Sequence, residues 1–232
     1  MPERYTLTSS VENLEAKFKF ELPEMYSPRY NASPAQLLPV VTSVAPGGFS
    51  YFYWGIIPGW AGNKTISNRL LHIDAGEIIS KAGVRKLLRT QRCIIPADGF
   101  YIWKKVSKKS QIPYRVILKN NLIFSMAGLW EEFEDENDQT HHTFRIIQVS
   151  SPAVLDGIEE FSPVILDAEG EKTWIDLSSD DESLLKLLAP ISNAKLEYYT
   201  VSPKISDPIN DYPDLVKKVE SMDQHGNYSL FD

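Results

Sequence analysis

Apolar positions in this 232-residue chain fall mostly in short β-like runs, and three stretches repeat at helical spacing. Near the start, Val11, Leu14 and Phe18 share one helical face. Ser9 and Glu12 stand at capping-box spacing, where a hydroxyl and a carboxylate each satisfy an exposed backbone N–H. Together they predict a helix over residues 10–19. Asp74 and Glu77 repeat the pattern before "IISKAGVRKLLRT" and predict one helix over 75–90. "DDESLLKLLAP" (180–190), with an aspartate cap and a proline stop, predicts a third.

The segment "RCIIPADGFYIW" (92–103) is β-branched and aromatic, interrupted by a proline and a glycine. It reads as two short strands with a bend between them. "PYRVILKNNLIFSMAGLW" (113–130) reads as two strands joined at Asn120 and Asn121. Asparagine tolerates positive φ, so this junction signals a hairpin. Residues 144–150, 163–166 and 197–202 are further strand-like runs. Many short strands with few helices predict an α+β domain around a curved, mostly antiparallel, barrel-like sheet with peripheral helices. The domain is assigned to residues 1–220, and 221–232 is a polar tail expected to fray.

Composition narrows the function classes. Hydrophobic residues are 43% and charged residues 24%, ordinary for a globular chain that buries a sizeable core. The net charge of −7 excludes a general electrostatic attraction for nucleic acid, so a DNA site must be a local basic patch. Lys104, Lys105, Lys108 and Lys109 are the best candidate for one, whereas 131–139 and 178–183 are acidic, solvated loops. The single cysteine, Cys93, permits no intrachain disulfide and reads as a buried small hydrophobe. The first twenty residues are too charged for a signal peptide, and no run approaches the roughly 20 apolar residues of a membrane span. A cytoplasmic protein without membrane attachment is expected. Without a phosphate loop, zinc-ligand spacing or a Ser-His-Asp signature, no metal or cofactor is expected.

Seven segments also occur in a telling order: "RYTL", "PRYNASPAQLLPVV", "WGIIPGW", "RCIIPADGFYIW", "AGLWE", "SPVIL" and "YTVSPKI". As a set they resemble the SOS-response-associated peptidase family, proteins that capture abasic sites in single-stranded DNA. The resemblance runs from residue 1 to about 205 and implies an amino terminus placed in a cleft. It also implies a mechanism in which a cysteine at position 2 traps the sugar aldehyde through its thiol and amine. An asparagine of a motif like N-A-R-x-E-T, the glutamate of "GFYEW" and a histidine before "RMPVIL" assist it. Here Pro2 stands for the cysteine and Ile102 for the glutamate. Spacing puts His72 at the asparagine, Asp74 at the arginine and Glu159 at the histidine. Isoleucine transfers no proton, and an aspartate repels a phosphate that an arginine would bind.

The candidate catalytic groups are therefore Pro2, His72 and Glu159. With Met1 removed, Pro2 is a secondary amine able to condense with an aldehyde; the formamidopyrimidine-DNA glycosylases, which share "MPE", supply the chemical precedent. The alternative is drift. His72 and Glu159 are either a new acid–base pair or relaxed positions. Arg4, Arg29 and Asn31 match retained family positions and could hold phosphates, or else form a salt bridge or turn. Trp60 is a base-stacking or a core residue, and Lys104 and Lys105 complete the DNA-contact set. Three functions follow. The first is a diverged family member that recognises abasic sites in single-stranded DNA with the thiol crosslinking chemistry lost. The second is a pseudoenzyme kept for protein contacts or regulation, and the third a hydrolase with an unrelated site. A positive groove at the amino terminus favours DNA, and a neutral or negative one the pseudoenzyme.

Overall fold

The computed structural model describes residues 3–55, 70–134, 137–223, 225, 227 and 228. The chain enters through strand β1 (Tyr5–Leu7) and helix α1 (Val11–Phe18). Next come β2 (Arg29–Ala32), β3 (Leu37–Thr42), β4 (Ala45–Trp54), β5 (His72–Asp74), α2 (Ala75–Ser80) and α3 (Ala82–Thr90). Five longer strands follow: β6 (Arg92–Ala97), β7 (Gly99–Ser107), β8 (Ser110–Leu118), β9 (Phe124–Glu134) and β10 (Thr140–Ser150). The last elements are β11 (Phe161–Pro163), β12 (Ile165–Leu166), α4 (Ala168–Ile175), α5 (Asp181–Lys186) and β13 (Leu196–Thr200).

Strands β10, β4, β3, β6 and β9 pair in that order, and β9 pairs back onto β10, closing a five-stranded barrel. Strands β4 and β5 run parallel to β10, and the other pairings are antiparallel. A second sheet has the order β13-β8-β7-β1-β2. This is the barrel-like α+β architecture that the strand pattern predicts. Period-two alternation sends successive side chains of a strand to opposite faces, and in β6 both faces are buried. Leu38, Cys93, Met126 and Phe144 pack with Tyr5 and Phe100 of the second sheet, while Val41, Ile94, Leu129 and Ile147 pack under the helices with Trp174 and Leu184. Among the described residues, no helix is long and apolar enough to cross a membrane.

Several local expectations change. The helix expected over 75–90 breaks at Lys81, which is extended (φ −108°, ψ 113°). Ile78 and Leu88 would stand about 80° apart around one straight helix; the break lets both reach the core, where each is fully buried. Helix α1 is capped by Ser10, because Ser9 donates its N–H and hydroxyl to Asp98 instead. The turn at Asn121 does have positive φ (52°), but its two strands enter different sheets, so it is a crossover and not a hairpin. Helix α4 gave no apolar repeat; an Asp167 cap and one buried tryptophan, Trp174, hold it. Within the segment after residue 220, Asp223 accepts from the Ser110 hydroxyl at 2.7 Å and from the Asn227 N–H at 2.9 Å.

Candidate functional site: a mixed-charge cleft beside the amino-terminal strand

Strand β1 is too short to hold itself in place, and the sequence supplies a buried anchor for it. Asp98, at the bend between β6 and β7, accepts from the Thr6 hydroxyl at 2.6 Å, from the hydroxyl and N–H of both Thr8 and Ser9, and from Arg115 at 3.0 Å. Arg115 and Asp98 are both nearly fully buried, so the ion pair is shielded from water. The Arg115 guanidinium lies over Gly99, where an added Cβ would come within 2.6 Å of its Nε. Glycine at 99 is thus demanded by close approach. Register pairs Tyr5 with Phe100, and the Tyr101 N–H donates to the Arg4 carbonyl at 3.0 Å. The chain before β1 therefore runs alongside β7.

A cleft of about 640 Å³ opens there, lined by Glu3, Arg4, Trp103, Lys105, Gln111, the 157–160 turn and Ser206. It draws on the two residues before β1, the β7–β8 hairpin, the loop before β11 and Ser206. Strand alternation puts Trp103 and Lys105 on the cleft side, and Lys105 pairs across the strands with Gln111. Burial lowers the Arg4 pKa, partly offset by the carboxylates of Glu3 and Asp207. Glu159 and Glu160 complete the wall, so the charged lining is two cations against three carboxylates. The locally positive groove expected for DNA does not form from these residues.

Of the candidates, Arg4, Lys105 and Glu159 come together in this cleft. Pro2 and Trp60 lie outside the described residues. His72 is not in the lining; it meets Trp54 edge-on at 6.1 Å, and Trp54 packs against Tyr5 at 5.4 Å. Lys104 points to the opposite face of β7 from Lys105. Arg29 and Asn31 both meet the segment around 205–211. Arg29 pairs with Asp211 at 3.1 Å. Asn31 is fully buried, and its amide nitrogen donates to the carbonyls of Ile205, Asp207 and Asn210 at 2.9–3.2 Å. Both residues thus hold the loop around 205–211, Asn31 through its buried amide and Arg29 through one guanidinium nitrogen. Asp74 caps α2 by accepting from the Gly76 N–H at 2.7 Å. Ile102 is fully buried in the apolar cluster that holds Tyr5 and Tyr114. The sequence reading passed over Trp103, Gln111, Glu160 and Ser206; for Trp103, the signal available was its place two residues before Lys105 on the same strand.

The thiol is remote from this chemistry. Cys93 is fully buried in β6, does not line the cleft, and burial raises its pKa. The Trp174 indole donates to its backbone carbonyl at 3.0 Å.

The model of the SOS response associated peptidase (SRAP) family matches residues 1–208. The chain belongs to this family. A SRAP relative from Bacillus subtilis, abasic site processing protein YoqW, is 34% identical over 219 residues, covering 92% of this chain and 98% of its own. Abasic site processing protein HMCES of Xenopus tropicalis is 25% identical over 229 residues, covering 84% of this chain and 68% of its own. A crystal structure of a protein from Bacteroides thetaiotaomicron superposes with a TM-score of 0.76 at 24% identity, covering 94% and 99% of the two chains. The family match and the superposition agree on one fold.

Proposed function

We propose that this SRAP protein recognises abasic sites in single-stranded DNA through the cleft beside β1, and does so without a permanent thiol-derived adduct. The carrying observation is the placement of the thiol. The chain has one cysteine, and it is sealed in β6 outside the cleft. A buried thiol with a raised pKa is neither exposed nor ionised, and the thiolate is the nucleophile. Support for the ligand comes from membership of the family and from relatives named as abasic site processing proteins. In the cleft, Arg4 and Lys105 are the cations that would meet phosphate, and Glu159 is the carboxylate we assign to hydrogen-bond or deprotonate a sugar. His72 stands outside the cleft lining, in ring contact with Trp54, and Pro2 remains a candidate amine.

A second reading, a pseudoenzyme whose cleft no longer serves DNA, is favoured by one observation: carboxylates outnumber cations in the lining. One experiment separates the two. Labelled single strands with and without an abasic site are titrated with protein, then heated in denaturant without reductant. The proposal expects preferential binding to the abasic strand and no heat-stable adduct. A heat-stable adduct would overturn the loss of thiol-type capture. Equal, negligible binding to both strands would favour the pseudoenzyme.

A further inference from the structure

We propose that the exposed face of helix α3 is a DNA-contact surface separate from the cleft, holding the phosphate backbone of a duplex through Arg85, Lys86 and Arg89. A shallow groove of about 400 Å³ lies beside α3, lined by Ala82 and these three cations. All three are exposed, and Arg85 and Arg89 stand one helical turn apart. Like charges at that spacing destabilise a helix unless an anion offsets them. Among the described residues, the carboxylate set against them is Asp181 of α5. It accepts from Arg85 Nε at 3.1 Å, from Arg89 Nε at 3.0 Å and from Arg89 Nη2 at 2.8 Å. Lys86 makes no ion pair among the described residues. The neighbouring carboxylates are committed elsewhere. Glu77 pairs with Lys81 at 2.6 Å, Glu182 pairs with Lys186 at 2.8 Å, and Asp180 accepts from the Ser183 N–H at 2.8 Å. Three groove cations thus face one carboxylate, a local excess on a chain of net charge −7.

A staple between α3 and α5 needs one guanidinium; the second, and the unpaired Lys86, exceed that need. Guanidinium forks suit oxyanions, and Asp181 already sits in this pair of forks as an internal anion. The Lys86 amine and the outer nitrogen of each guanidinium are left to meet a phosphate. The groove lining includes no aromatic ring. Single strands are gripped by stacking bases on such rings, whereas a duplex keeps its bases inside and presents phosphates. Contact of this kind reads neither sequence nor lesion. On the opposite face of α3, Leu88 is buried with Ile94 and Trp174 in a cluster that contains no residue of the cleft. The inference rests on DNA being the ligand of this SRAP protein, and not on the cleft being the abasic-sugar site. Asp181 competes with phosphate for the two guanidiniums, so its charge sets how tightly the face holds DNA.

The test is fluorescence anisotropy of the full chain on a blunt-ended, lesion-free duplex at rising salt. Log affinity should fall with log salt by about 0.9 for each phosphate held. Lys86→Ala breaks no ion pair among the described residues; it should weaken binding about threefold or more and flatten the slope by about 0.9. Lys86→Arg should restore both. Asp181→Asn should tighten binding about threefold or more, whereas Glu197→Gln on β13, the same change in charge, should not. No duplex binding, indifference to Lys86→Ala, or equal effects of Asp181→Asn and Glu197→Gln would overturn the inference. Loss of duplex binding in Arg4→Ala with Lys105→Ala would put the duplex in the cleft and overturn it too. Polyglutamate that displaces the duplex as well as unlabelled DNA does would overturn it in favour of acidic protein segments. Single strands with and without an abasic site are titrated in parallel. Duplex binding with no preference between those strands would overturn the functional reading of the cleft and leave this inference standing.

Discussion

Asn31 has the strongest single-residue case for a structural role. Its amide meets three carbonyls of one loop, those of Ile205, Asp207 and Asn210, and the Asp207 carbonyl also accepts from the Asn210 N–H at 3.1 Å. Leaving buried carbonyls unpaired costs about 1–3 kcal/mol each. Asn31→Ala should therefore destabilise the protein by about 2–4 kcal/mol, seen as a lower urea midpoint at unchanged slope. An Asn31 that contacted phosphate instead would leave stability alone and weaken DNA binding. Cys93 makes the complementary prediction. Native protein should resist a thiol reagent for as long as it stays folded, and the single thiol should titrate fully in denaturant. Fast labelling of native protein would show that β6 opens locally and that the thiol is accessible after all.

At the scale of elements, the link between β1 and the rest of the fold is the Asp98–Arg115 pair. Removing one partner of a buried pair costs about 3–5 kcal/mol, because the other charge is left uncompensated. Arg115→Ala should lower the unfolding free energy by about 3–5 kcal/mol, seen as a lower urea midpoint, and loosen the chain around β1, measured as faster amide exchange at Thr6 and Thr8. Helices α3 and α5 carry a different, exposed link. Arg89 and Arg85 hold the Asp181 carboxyl down to about 2. A depressed carboxylate stabilises the folded state above its ordinary range near 3.8 and loses that contribution as pH falls toward 2. Asp181→Asn should thus flatten the fall in stability between those pH values and leave its slope near neutrality unchanged, as urea midpoints across pH would show.

For the whole molecule, the family match ends at residue 208, yet the fold does not. Asp211 accepts from the N–H groups of Tyr30 and Asn31, covering the open edge of β2. Leu215 is fully buried with Tyr101, Val201 and Ile205. Truncation after 208 should cost more than the roughly 2–5 kcal/mol of one lost core leucine and lower the melting temperature accordingly. Charge is the other molecule-wide property. With two cations in the cleft, log affinity for single-stranded DNA should fall with log salt at a slope of about −1.4. Glu159→Gln with Glu160→Gln should tighten binding severalfold at low salt; unchanged affinity would place the DNA elsewhere on the surface.

The division between sequence and structure follows from the range of the forces involved. Local pattern determined the strands at 92–103 and 144–150, the aspartate caps at 74 and 180, and the burial of Cys93, since period, capping and hydrophobicity act within a few residues. The ordered motifs determined the family. What the sequence could not decide was pairing between distant segments. Only the folded chain sends the strands on either side of Asn121 into different sheets, turns Arg29 and Asn31 toward a loop some 175–180 residues away, and sets Glu3, Glu159 and Glu160 around Arg4 and Lys105. Charge balance in a cleft is a sum over segments that meet only in three dimensions. A basic run such as 104–109 therefore reads as a positive surface in sequence, while the tertiary structure surrounds its one cleft-facing lysine with carboxylates.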